Sequence, residues 1–102
     1  MINLTETDIR VLAIDPTSKG FGFAVMEGSD ALIDWGVRSA SVLDKKATTL
    51  ELIAELIVRY QPGIIVLQDC RENRWRRCER VRELLFDVTR LALKEKISTR
   101  FV

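Results

Sequence analysis

Two short stretches of this chain are unbroken runs of four aliphatic residues: Val11-Leu12-Ala13-Ile14 and Ile64-Ile65-Val66-Leu67. Runs this short, with no alternation of apolar and polar residues, read as strands buried on both faces, the pattern of a parallel sheet. Parallel neighbours need a crossover, usually a helix. The chain supplies one between them. Leu50, Ile53, Ala54, Ile57 and Tyr60 recur at helical spacing, so Ala47 to Tyr60 reads as a helix, and Gln61-Pro62-Gly63 stops it. Its start is marked either by Thr48 with Glu51, in the form of a capping box, or by Asp44.

The remaining elements follow from pattern and punctuation. Arg10 to Ile14 is the first strand, and residues 16–20 form a turn. Residues 21–27 form the second strand, with Phe21, Phe23 and Val25 alternating against Gly22 and Ala24. Glu27-Gly28-Ser29-Asp30 is a hairpin turn by composition, which makes the third strand, Ala31 to Ala40, antiparallel to the second. A second helix runs from Glu72 or Asn73 to Lys94, with Trp75, Cys78, Val81, Leu85, Val88 and Ala92 along one face, and Ile97 to Val102 is the last strand. The expected class is α/β: a mixed sheet in the order β-β-β-α-β-α-β with helices packed on it. Residues 1–9 read as a flexible lead-in and residues 10–102 as a single domain.

Composition narrows the chemistry. A chain of 102 residues suffices for one small domain. Its formal net charge is +1, so affinity for a polyanion must come from a local patch. The start of the chain lacks the pattern of a signal peptide and no apolar run reaches membrane-spanning length, which leads to the expectation of a cytoplasmic protein without a membrane partner. There is no histidine, which excludes His general bases, Ser-His-Asp triads and His-bearing zinc sites. Cys70 and Cys78 lack Cys-x-x-Cys spacing and read as small semi-buried residues. A metal bound here takes oxygen ligands, which points to Mg²⁺ or Mn²⁺.

Both apolar strands end in polar residues, Asp15 after the first and Gln68-Asp69 after the second. If the strands are neighbours in similar register, these side chains meet at the carboxyl edge of the sheet, where open α/β sheets bind ligands. Two carboxylates held close repel unless a cation bridges them or one is protonated. Asp15 and Asp69, with Gln68 as the alternative at the second strand end, are therefore the candidate metal ligands. Adjacent strand residues face opposite sides, so only one of Gln68 and Asp69 points with Asp15. With Gln68 on that side, a neutral amide replaces an anion and metal affinity falls. The plainer alternative is two unrelated aspartates in turns. The turn after Asp15 adds a hydroxyl pair, Thr17 and Ser18, and a cation, Lys19, between strand and glycine.

Six arginines fall within residues 71–82, around the start of the second helix. Cations there oppose the helix dipole, which makes sense if they meet an anion. Forked guanidinium donors suit phosphates, so Arg71, Arg74 and Arg77 are candidate nucleic-acid contacts. The competing reading is a solvated face paired with Glu72, Glu79 and Glu83. Trp75 reads as a core residue, with stacking on a base as the alternative.

The run Val11-Leu12-Ala13-Ile14-Asp15-Pro16-Thr17, leading into Gly20-Phe21-Gly22-Phe23-Ala24-Val25 and then Leu32-Ile33-Asp34-Trp35-Gly36-Val37, resembles the ribonuclease H-like superfamily, and within it the RuvC-like Holliday-junction resolvases. The resemblance covers residues 10–102. It implies a metal-dependent nuclease acting on structured nucleic acid, branched or duplex DNA, with two Mg²⁺ or Mn²⁺ ions clamping the scissile phosphate and no side-chain base required. It implies that Asp15 is the first metal-binding aspartate, that Gln68 or Asp69 stands where the family has a second acid, that Asp15 and Asp69 are the catalytic residues, and that Thr17 and Lys19 contact a phosphate. A symmetric junction would call for a homodimer. Further family acids lie on a helix after the last strand, so the resemblance implies a domain truncated at its C-terminal end. A catalytically incomplete nucleic-acid-binding module of the same fold is the second reading. The opening turn also resembles the phosphate-binding turn of actin-like ATPases and sugar kinases, which would make the chain half of such a fold.

Overall fold

The computed structural model describes residues 9–17, 20–28, 30–39, 45–68 and 78–102. In chain order the elements are β1 (Arg10–Pro16), β2 (Gly20–Glu27), β3 (Ala31–Ser39), α1 (Lys45–Tyr60), β4 (Ile64–Leu67), α2 (Cys78–Lys94) and β5 (Ser98–Phe101). The β-β-β-α-β-α-β order expected from the pattern is the observed one. Helix α1 begins at Lys45, so Thr48 lies inside its first turn and does not cap it. The expected lead-in at residues 1–8 and the start of the second helix before Cys78 lie outside the described residues.

The strands form one sheet in the order β3-β2-β1-β4-β5. β1 and β4, the two unbroken apolar runs, are parallel neighbours with Val11 opposite Ile64 and Ile14 opposite Leu67. β4 pairs in parallel with β5, while β2 is antiparallel to both β1 and β3. The β2–β3 register shifts between Val25 and Met26, leaving Ile33 as an extra residue on β3. Such a bulge bends the strand and increases its twist.

Alternation then sorts the side chains. Leu12, Ile14, Phe21, Phe23, Val25, Ile65 and Leu67 are buried on one face of the sheet. Ile53, Leu56 and Ile57 of α1 and Leu84, Leu85, Val88 and Ala92 of α2 close over them in a single core. Each fully buried side chain of this size contributes about 1.5–3 kcal/mol of transfer free energy. The observed face of α1 is wider than the periodicity suggested, because Leu56 and Thr49 are buried as well. At the end of α2, the Ile97 N–H donates to the Ala92 carbonyl and the Lys96 N–H to the Leu93 carbonyl, with Lys96 left-handed at φ 61°. This Schellman turn aims the chain into β5. No described helix is long and apolar enough to cross a membrane.

β2 and β3 approach closely where the sheet starts from the first turn. A Cβ on Gly20 would lie 1.9 Å from the Arg38 carbonyl oxygen, so only glycine fits without displacing backbone. We predict that Gly20→Ala destabilises the fold by about 1–3 kcal/mol. Chemical denaturation of the two proteins measures this, and an unchanged midpoint would show that the β2–β3 contact yields freely.

Candidate functional site

Parallel pairing carries Asp15 to a defined place. Because Ala13 is opposite Val66 and Ile14 opposite Leu67, the next residues, Asp15 near the end of β1 and Gln68 just past β4, fall level with each other. Both line one open groove of about 620 Å³ on the sheet face opposite the core. The choice left open by the sequence is thereby resolved for the backbone: Gln68 shares the groove with Asp15. Asp69 lies outside the described residues.

The groove has a low centre and taller sides. Ala13, Gly22 and Ala24 provide small side chains along β1 and β2, while Trp35 and Val37 stand up from β3. Trp35 is 66% exposed and Val37 70%, so the wall they form is open to solvent among the described residues. Gly22 is the direct cross-strand partner of Asp15. A Cβ there would meet only ordinary contacts, the nearest at 3.9 Å. Its missing side chain therefore serves to keep space open beside the carboxylate. Asp15 itself is exposed, and no cation among the described residues forms an ion pair with it.

The β1–β2 turn is closed by Thr17. Its N–H donates to the Gly20 carbonyl at 2.9 Å, and its Oγ1 accepts from the Gly20 N–H at 3.1 Å. The hydroxyl proposed from sequence as a phosphate contact thus has a clear structural task. Lys19, Arg71, Arg74, Arg77 and Trp75 lie outside the described residues. Among the described residues no group of three acidic or cysteine side chains is placed to hold a metal ion.

Asp34, an acid in the segment that carried the family resemblance, belongs to the opposite face. Its Oδ2 accepts from the Tyr60 hydroxyl at 2.5 Å and its Oδ1 from the Trp35 N–H at 2.9 Å. Arg10 reaches the same helix end, where its Nη1 donates to the Tyr60 carbonyl at 3.1 Å. The carboxylate ties β3 to the last turn of α1 and so supports the strand that carries Trp35 and Val37. Sequence reasoning missed this link, since the partners are 26 residues apart and neither lies in a local motif.

No protein-family model matches the chain, and no curated protein matches it. Among solved structures it is similar to Thermus thermophilus RuvC in complex with a Holliday junction substrate. The TM-score is 0.72 at 19% identity, covering 92% of this chain and 65% of that one. The fold is RuvC-like. A second T. thermophilus RuvC structure matches with a TM-score of 0.65 at 20% identity, over 92% of this chain and 63% of its own. The chain thus spans just under two thirds of each of these RuvC chains. The mixed sheet and its strand order agree with the ribonuclease H-like class expected from the sequence.

The Asp34–Tyr60 bond gives this RuvC-like domain a pH signature. The Tyr60 hydroxyl holds the Asp34 carboxyl below its ordinary 3.8, with further help from the Trp35 N–H, Arg59 and Arg38 against some desolvation. The same bond pushes the Tyr60 phenol above 10.0. A depressed carboxylate stabilises above its unfolded value and loses that contribution as pH falls through its folded one; a raised phenol stabilises below 10.0 and loses it as pH rises further. We predict that Tyr60→Phe lowers the melting temperature at neutral pH and that the gap to wild type narrows below pH 3.8 and above pH 10.0. Thermal unfolding across that range checks it; a constant gap would refute the coupling.

Proposed function

We propose that this chain is the core of a RuvC-type nuclease that binds structured DNA and supports divalent-dependent phosphodiester hydrolysis. The observation that carries the reading is the position of Asp15, exposed at the carboxyl end of a central strand and lining an open groove in a RuvC-like fold. Support for a nucleic-acid partner comes from the RuvC structure that holds a Holliday junction substrate.

The donor chemistry fits a hard cation. Asp15 offers a carboxylate and Gln68 an amide oxygen on the same side of the sheet, and the chain has no histidine. These are ligands for Mg²⁺ or Mn²⁺. Bound there, such an ion would supply the Lewis acidity and the lowered water pKa that phosphodiester hydrolysis uses. The chain's own part is to hold the ion and to place the substrate. Asp15, with Asp69 if it turns to the same site, provides the negative charge. Gly22 leaves room beside Asp15 for a phosphate. Thr17 borders the strand end and Lys19 follows it in the sequence, and Arg71, Arg74 and Arg77 would position a nucleic-acid backbone without reading its sequence.

One observation favours a second reading. The groove residue level with Asp15 is the neutral Gln68, which weakens metal binding and leaves a DNA-binding module without turnover as the competing function. Mn²⁺ titration and junction cleavage distinguish the two. We predict that Asp15→Asn loses Mn²⁺ binding, whereas Gln68→Glu binds Mn²⁺ more tightly than wild type. Equal Mn²⁺ binding by wild type and Asp15→Asn would remove the metal assignment. Divalent-dependent cleavage of a Holliday junction that Asp15→Asn abolishes supports the nuclease; binding without cleavage supports the module.

Phosphate contacts release counterions, so each one steepens the salt dependence of binding. Replacing Arg74 and Arg77 together with alanine is predicted to weaken junction binding and to reduce the slope of log K against log salt by roughly one per lost contact. A double variant with unchanged affinity and slope would leave the cluster as solvated charge paired with neighbouring glutamates.

A further inference from the structure

Trp35 is a groove residue for which the hydrolysis has no use. Tryptophan is well buried on average, yet this one is 66% exposed. Among the described residues its ring meets no aromatic ring and no cation, and its indole N–H has no acceptor. An exposed apolar surface rimmed by polar groups marks a contact site.

Register says what lies around it. Trp35 pairs with Ala24, Ala24 with Ala13, Ala13 with Val66 and Val66 with Arg100. Residues directly opposite across a sheet share a face, so these five form one row on the open face. Trp35 stands at one end and Arg100 at the other, with Ala13, Ala24 and Val66 as the floor between them. Asp15 lies two residues beyond Ala13 and so points to the same side. Strands ~4.8 Å apart and a rise of ~3.3 Å per residue put the Cα atoms of Trp35 and Arg100 each roughly 12 Å from that of Asp15, on opposite sides of it.

Arg100 is exposed and forms no hydrogen bond or ion pair among the described residues. A carboxylate flanked by a free guanidinium and a free indole suits a ligand with three parts in series. It needs an anion for Arg100, a metal-bound phosphate for Asp15 and a flat π-face for Trp35. A nucleic-acid strand has that sequence of groups. Inside a duplex each base is covered on both faces by its neighbours and offers nothing to Trp35. An unpaired strand exposes its bases, and stacking on an aromatic side chain accepts any of them.

We propose that the groove takes an unpaired nucleic-acid strand laid across the sheet, with Trp35 stacking on a base to one side of Asp15 and Arg100 holding a phosphate on the other. This rests on the nucleic-acid reading of the Asp15 site and adds the form of substrate that the site selects.

The test uses the full 102-residue chain, with melting curves to establish that each variant folds. The probes are a labelled oligothymidylate, a blunt duplex of equal length and a Holliday junction, with Ca²⁺ as the divalent ion. Trp35→Leu is expected to weaken oligothymidylate binding roughly tenfold or more, with an unchanged salt slope and less than about a twofold change on the duplex. Trp35→Phe keeps a ring and is expected to retain most of the affinity. Arg100→Ala is expected to lower the slope of log K against log salt on the single strand by roughly 0.7. In Trp75→Phe the emission comes from Trp35 alone and is expected to be quenched as oligothymidylate binds. Should that variant fail to fold, the difference between wild type and Trp35→Leu reports the same signal.

A wild type that binds none of the three probes at low salt removes the nucleic-acid reading, and this proposal with it. A wild type that binds duplex or junction but not the single strand overturns this proposal alone. So do a Trp35→Leu variant that binds oligothymidylate as tightly as wild type, a Trp35 emission that binding leaves unchanged, an equal loss on single strand and duplex, and an Arg100→Ala variant with wild-type affinity and slope.

Discussion

The hydrogen bonds between β1 and β4 set the geometry on which the rest of the molecule depends. Side chains alternate along each strand, so sliding one against the other by one residue would send Val66 and Gln68 into the core and expose Ile65 and Leu67. The core does not permit this: Ile65 and Leu67 are fully buried against the helices together with Leu12 and Ile14. The hydrophobic requirement of one face therefore fixes which polar residues share the other. Asp15 and Gln68 are neighbours because four apolar residues behind them cannot be anywhere else.

The two helices are held to this sheet differently. α2 relies on burial of Leu84, Leu85, Val88 and Ala92 and on the turn that starts β5. α1 adds polar ties at its last turn, where Tyr60 receives Arg10 on its carbonyl and gives its hydroxyl to Asp34. Arg10 also approaches Glu27 at 3.9 Å, so the starts of β1 and α1's end are linked to the β2 hairpin. A positive side chain at a helix C-terminus is favourable for the dipole, and Arg10 supplies it from outside the helix.

Much of this was legible in the residues. The unalternating runs at 11–14 and 64–67 announced a parallel pair, and the pattern between them announced the crossover, because burial on two faces leaves no room for polar side chains. Phe21, Phe23 and Val25 against Gly22 and Ala24 gave the two faces of β2 correctly. The start of α1 was harder, since Thr48 and Asp44 present equivalent local chemistry and only the long-range fit of the helix chooses between them. The orientation of Gln68 was unreadable for a related reason: facing depends on register with a strand far away in the chain. The Asp34–Tyr60 bond escaped for want of any local signal. Its aspartate looks, in sequence, like one more acid of a possible site.

The bulge at Ile33 has a bearing on how this hairpin can vary. By absorbing one residue between the turn and Asp34, it separates the tip from the part of β3 that faces Asp15 and receives Tyr60. Insertions or exchanges around Gly28 can be taken up before the strand reaches Asp34, without flipping Trp35 and Val37 to the wrong side. The hairpin tip is thus free to drift in length and composition while the working half of the strand stays in phase.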